Sequence, residues 1–182
     1  DAPNHYALNI APDELPGLEG KLNESGIKLS PAYPMIRGRI TAVNGAEPPP
    51  RRSEQPGEDR APTARSTRNL TEASLLPDDN EIVSGQWWEV GDANRREVSL
   101  EREYAERNGL VVGDKLQFDI EGRPLEVVVT SIREVAWDNL QPNFYIILSP
   151  GSLDDFPSTV LTSFYLDRSK KAVLNDLLRE YP

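Results

Sequence analysis

The chain has 182 residues, 37% of them hydrophobic, and a formal net charge of −10. That length and apolar content can bury one full core or two small ones, while the acidity argues against nucleic acid, whose binding rests on neutralising phosphates, and against lying flat on an anionic leaflet. The absence of cysteine removes disulfides, thiolate nucleophiles and thiolate metal sites, and no run approaches the roughly 18 apolar residues that cross a bilayer.

Tyr6 to Ile10 predicts a short strand. A helix opens at Pro12, with Asp13 and Glu14 in its first turn, where acids meet the positive end of the helix dipole. Leu15, Leu18 and Leu22 fall three and four apart on one face, and Gly26 ends the helix. Pro16-Gly17 interrupts the pattern, so the regular turns start as late as Pro16. Ile27 to Val43 returns as an extended segment and completes a strand-helix-strand unit.

Ala46 to Arg68 carries Pro48-Pro49-Pro50, Arg51-Arg52 and mixed charge, with almost no apolar residue. It cannot bury enough surface to offset its ordering entropy, so a mobile loop is expected there, with residues 46–80 as loop and linker together. Arg51, Arg52 and Arg65 are candidate partner contacts in this loop, although a plain linker is the commoner use of such segments.

Ile82-Val83 predicts a strand running into Ser84-Gly85 and Trp87-Trp88. Ser99 is placed to cap a helix running to Asn108, and Gly109 ends it in left-handed geometry. Gly113-Asp114 turns the chain into Leu116 to Ile120, which forms a β-hairpin with Leu125 to Val135 across Glu121-Gly122-Arg123-Pro124. Phe144 to Leu148 reads as a further buried strand, and Thr159 to Leu166 as another. Asp167 or Ser169 then caps a helix whose stripe is Val173, Leu174, Leu177, Leu178 and Tyr181. The fold class is α+β: residues 1–45 and 158–182 form a split sheet covered by helices on one side, and 81–157 form a β-rich insertion.

Little in the chain points to catalysis. His5 is the single histidine and has no serine or cysteine motif beside it. Ser84-Gly85 lacks the second glycine and elbow spacing of an α/β-hydrolase, and Gly109 to Lys115 lacks the spacing of a phosphate loop. The pairs Asp78-Asp79 and Asp154-Asp155 have the residue types for acid–base chemistry or calcium, but adjacent side chains point apart and each pair lies in a Pro-flanked turn, where aspartate builds turn hydrogen bonds. No metal or cofactor site is expected. Asn69-Leu70-Thr71 matches a glycosylation sequon by accident. Trp87, Trp88 and Trp137 are candidate partner contacts, because aromatics with a polar edge are enriched at interfaces; the opposing reading makes two of the three anchors of the β-rich core.

The succession Ile82 to Trp88, Glu97-Val98-Ser99 and Asn108 to Leu116 resembles the extracytoplasmic domain of FtsX-like, MacB-type ABC-transporter permeases, especially the YbbP branch. Pro34 to Gly45, Asn69-Leu70-Thr71, Leu76 to Asn80, Trp137-Asp138, Gln141 to Phe144 and Gly151 to Pro157 are similar to further landmarks of that branch. Residues 46–68 and the extreme ends carry no part of the resemblance. Arg102 departs from it, standing where the branch has an acid that closes a capping box.

The resemblance implies a Porter-like split subdomain near the membrane and a Sabre-like insertion above it. It implies a periplasmic domain at the bacterial inner membrane, with transmembrane helices before Asp1 and after Pro182 in the full protein. The expected function is mechanotransmission: relaying ATP-driven conformational change from a cytoplasmic ATP-binding subunit, for export or extraction of lipid-like or hydrophobic compounds, with a periplasmic esterase as partner and no enzymatic activity of its own. Two alternatives remain at this point. A free periplasmic lipid-binding or chaperone-like module needs an apolar cavity on the order of a few hundred Å³, and a hydrolase needs a nucleophile in contact with a base.

Overall fold

The computed structural model describes residues 5–27, 32–48, 66–91, 95–136, 144–164 and 170–181. In chain order its elements are β1 (His5–Ile10), α1 (Leu15–Glu24), β2 (Tyr33–Val43), β3 (Arg68–Glu72), β4 (Asn80–Gly85), β5 (Glu97–Glu101), α2 (Arg102–Arg107), β6 (Lys115–Ile120), β7 (Arg123–Val135), β8 (Ile146–Leu148), β9 (Thr159–Phe164) and α3 (Lys171–Glu180). They fall into two compact units. One takes Asp1–Met35, Ala136–Asn143 and Ser158–Pro182, the other Ile36–Val135 and Phe144–Pro157.

In the first unit β9 lies between β1 and the opening residues of β2, antiparallel to both, with Ala7 opposite Thr162 and Pro34 opposite Val160. Helix α1 joins the two outer strands. It begins later than the sequence indicates: residues 12–14 form a turn closed by Glu14 N–H on Ala11 O at 2.9 Å, and no acid sits in the first helical turn. Pro16 is tolerated there because the first helical amides have no partner inside the helix. At the other end Gly26 takes φ +73°. Ile27 N–H then reaches Leu22 O at 2.8 Å and Gly26 N–H reaches Asn23 O at 3.0 Å, the paired bonds of a Schellman stop.

The core of this unit is Ile10, Leu18, Leu22, Ile27, Val160, Phe164 and Leu177. Val173, Leu174 and Tyr181 pack against it, but Leu178 is 59% exposed and falls off the expected stripe. Helix α3 takes Lys170 as its cap position with no side-chain bond; Asp167 and Ser169 lie outside the described residues. The helices meet through Lys21, which pairs with Glu180, and at Gly17, where a Cβ would sit 2.7 Å from the Tyr181 hydroxyl.

The second unit is a closed ring of strands. Ile36–Val43 of β2 pairs with β3, β3 with β8, β8 with β5, β5 with β7, β7 with β6, and β6 again with β2. Two of these pairings, β3 with β8 and β5 with β7, are parallel. Strand β4 extends the sheet along the last residues of β7, from Gly85 opposite Ser131 to Asn80 opposite Val135. The hairpin expected between β6 and β7 is present: Glu121 and Gly122 have φ +52° and +80°, the left-handed pair that matches strand twist in a two-residue turn.

Strand alternation turns Ile36, Ile40, Leu116, Phe118, Ile120, Val127 and Val129 inward to join Leu70, Val98, Leu100, Ile146 and Leu148. Each such side chain contributes about 1.5–3 kcal/mol on burial. Gly38 completes that face of β2, since a Cβ there would lie 2.7 Å from Leu70 and 3.0 Å from Ile120.

Three expectations change in this unit. Residues 68–72, read as linker, form ring strand β3 with Leu70 fully buried. The short helix is capped by Glu101 rather than Ser99; Ser99 stays in β5 and accepts a bond from the Ser131 hydroxyl at 2.8 Å. Strand β2 belongs partly to each unit instead of ending the first. The stop at Gly109 does form as expected, with φ +65° and Leu110 N–H on Ala105 O at 2.9 Å.

Candidate functional site

Backbone geometry places the tryptophan pair. Gly85 has φ +72°, and a Cβ on it would lie 2.1 Å from the Thr130 carbonyl oxygen, so glycine alone fits where β4 ends against β7. Gln86 N–H donates to that same carbonyl at 3.0 Å, and the two indoles follow. Trp88 Nε1 donates to Ala73 O at 2.8 Å and Trp87 Nε1 to Ser74 O at 2.9 Å. The rings lie 4.0 Å apart between centroids, tilted by 34°. Ala73 N–H in turn donates to Leu148 O of β8 at 3.2 Å. The pair therefore stitches the segment after β3 to the segment after β4.

This arrangement separates the two residues. Trp88 is 3% exposed and leaves the candidate contacts, because its ring has no surface to offer. Trp87 is half-buried and keeps some. Next to the stitched positions stand Leu75, 68% exposed, and Val90, 70% exposed. Sequence reasoning passed over both; the available signal was an apolar residue in a polar stretch with no periodicity to bury it. Arg51, Arg52, Arg65 and Trp137 lie outside the described residues.

The buried polar groups of the ring unit serve its architecture. Arg133 on β7 is fully buried; its Nη1 donates to Asn80 Oδ1 at 2.8 Å and its Nη2 to the Phe144 carbonyl. A guanidinium survives such burial only with matched acceptors, and here they tie the start of β4 and the residue preceding β8 to β7. The buried Glu101 carboxylate accepts from Glu103 N–H at 3.0 Å and Tyr104 N–H at 2.7 Å, two helix amides that otherwise lack partners. Tyr104 stacks on Tyr145 at 5.6 Å. Among the described residues its hydroxyl has no hydrogen-bond partner. Burial pushes its pKa well above the ordinary tyrosine value, with Arg68 acting weakly in the other direction.

The remaining chemical candidates have structural uses. The His5 ring stacks on Phe164 at 5.4 Å between centroids. Asp79 Oδ1 accepts from Asn80 Nδ2 at 3.0 Å in a turn closed by Asn80 N–H on Pro77 O. Asp155 offers its carbonyl to Arg123 at 2.9 Å, and Asp154 N–H closes a turn on Gly151 O. Asp114 accepts from Val111 N–H at 2.9 Å and Asn44 Nδ2 at 3.0 Å, fixing the turn into β6 rather than a phosphate. Among the described residues no group of three or more His, Cys, Asp or Glu is placed to hold a metal ion, and no helix is long and apolar enough to cross a membrane.

No protein-family model matches the chain. Along its whole length it is 35% identical to YbbP of Escherichia coli K12, described as an uncharacterised ABC transporter permease. The chain spans 21% of that protein, about one fifth of its length. A crystal structure of a permease-protein domain from Porphyromonas gingivalis is similar with a TM-score of 0.39 at 13% identity, over 89% of this chain and 75% of that one.

Proposed function

We propose that the chain is one segment of an ABC-transporter permease of the YbbP kind, an extracytoplasmic domain that relays ATP-driven conformational change. The observation that carries this reading is 35% identity sustained over the entire chain, not over a motif. The architecture is compatible with it in two respects. Both described ends, His5 and Tyr181, belong to the same compact unit, as a domain suspended between membrane helices requires. The other unit is built on a ring whose six strands each pair with a neighbour on both sides, a construction suited to moving as a body.

In this reading the full protein works with a cytoplasmic ATP-binding subunit, its cargo is lipid-like or hydrophobic, and a periplasmic esterase docks on the domain. No catalytic step is assigned to the chain itself. A free lipid-binding module is disfavoured by the ring: six strands enclose less space than the eight that side chains just fill, and Leu116, Phe118 and Ile120 occupy it, fully buried.

The test uses this domain's lack of cysteine, in a full-length permease from which any cysteine outside the domain has been removed. Glu126→Cys, exposed on β7, is introduced into the full-length permease and treated with a membrane-impermeant maleimide on intact spheroplasts. Labelling without permeabilisation is expected. A spin label at the same position should report a change in inter-copy distance, or in distance to a label on the membrane helices, between ATP-bound and nucleotide-free transporter. Labelling only after lysis, or distances indifferent to nucleotide, would overturn the reading.

A further inference from the structure

We infer that Leu75, Trp87 and Val90 form a pre-organised docking surface for a protein segment that combines apolar side chains with lysine or arginine. The inference deepens the partner-docking part of the proposal above and rests on it. Leu75 and Val90 are 68% and 70% exposed, far more than single packing residues of a well-filled unit. They are not on wandering loops. Leu75 follows the Ser74 carbonyl that holds the Trp87 indole at 2.9 Å, and Val90 stands two residues after Trp88, whose indole is fixed on Ala73 O at 2.8 Å. Both segments are rooted in the ring, through Ala73 N–H on Leu148 O and Gln86 N–H on Thr130 O. A surface already held in place loses little freedom when a partner arrives.

Charge decides the occupant. Residues 69–94 contain six acids and no lysine or arginine, and Asp78, Glu81 and Glu89 of that stretch are exposed, Glu89 directly before Val90 and Asp78 three residues after Leu75. A second copy would bring the same acids face to face, and like charges juxtaposed across an interface are repulsive. An anionic bilayer is repelled for the same reason. A partner segment with apolar anchors and flanking cations meets both features: the anchors cover Leu75, Trp87 and Val90, and the cations meet the acidic rim.

The test titrates the isotope-labelled full chain, followed by NMR, with three probes: a short peptide of alternating lysine and leucine, its glutamate counterpart, and phosphatidylglycerol vesicles. The lysine peptide should shift the Trp87 indole and the amides of Leu75 and Val90 in a saturable way that weakens with salt. Leu75→Asp combined with Val90→Asp should lower that affinity about tenfold or more, as loss of central anchors does, even though it adds negative charge. Val111→Asp, at an exposed apolar position of another loop, should leave it unchanged. Equal binding of the glutamate peptide, shifts centred elsewhere, indifference to the double substitution, preference for the vesicles, or shifts that grow with protein concentration alone would each overturn the inference. None of those results alters the maleimide labelling at position 126, so failure here and failure of the transporter reading are distinguishable.

Discussion

In the ring unit every strand of the ring has a neighbour on both edges, and among the described residues nineteen buried ones form its core cluster; in the helix-bearing unit β1, β9, the two helices and Ile27 share a cluster of seven. The ring cannot give up one pairing without opening others, whereas β1 pairs on one side with β9 and the helices hold through a few leucines and exposed polar contacts. Cooperativity therefore differs within one chain. The helix-bearing unit should sample open states at lower free energy than the ring, in the way local units of a protein open independently.

Four substitutions test that contrast, in decreasing order of effect. Phe118→Ala, in the fully buried ring interior, should cost about 4 kcal/mol by loss of transfer energy and creation of a cavity. Urea denaturation should show it, with amide protection lost together across β2, β5, β6 and β7. Leu22→Ala should cost about 3 kcal/mol, but hydrogen exchange should place the loss in β1, α1 and β9 while β5 and β7 stay protected. If the ring amides exchange in step with α1 in that variant, the two units are one cooperative body and the contrast fails.

Gly85→Ala forces a Cβ toward the Thr130 carbonyl at positive φ, at about 2 kcal/mol; a red shift of tryptophan emission should accompany it, since the indoles lose their placement. Tyr104→Phe removes a buried hydroxyl with no partner among the described residues and should be neutral to stabilising by about 1 kcal/mol. It also has a pH signature. The folded state raises the Tyr104 pKa by burial, so this contribution is intact below about pH 10, where the unfolded phenol ionises, and is lost as pH climbs beyond it. The phenylalanine variant should show a flatter alkaline limb in its unfolding midpoint. An unchanged limb would mean that the hydroxyl is solvated.

Local chemistry was legible in the chain wherever one or two residues determine a conformation. Glu121-Gly122 announces the hairpin, and Gly26 and Gly109 announce the helix ends. The period-two alternation of β6 and β7 also marks an inward face, and it carries more than the apolar residues: Ser131 and Arg133 fall on the same face as Val127 and Val129. A strict count of alternation thus points to a buried arginine that hydropathy alone places in solvent. The ring itself was not legible, because β2 with β6 and β3 with β8 pair across long stretches of sequence that leave no local trace. Ser99 was a plausible cap by residue type, yet the ladder to β7 and β8 keeps it in a strand, and a buried glutamate, which propensity would not choose, takes the helix amides. For the candidate surface, the tryptophans were visible as residues, but what holds them, two backbone carbonyls just past β3, became visible only with the fold.

The order in which these strands leave the ribosome has a kinetic consequence. His5 pairs opposite Phe164, and Leu70 of β3 waits for Ile146 of β8. At roughly 5–20 residues per second of synthesis, the first strand exists for on the order of ten seconds before its neighbour has been made. Pairings of such long range place folding itself in the slow regime of milliseconds to seconds. Neither unit can complete until its late strands, β8 and β9, have been made, so whatever keeps the nascent chain from associating must act on an unpaired, threadable polymer, and its acidic composition is suited to that interval.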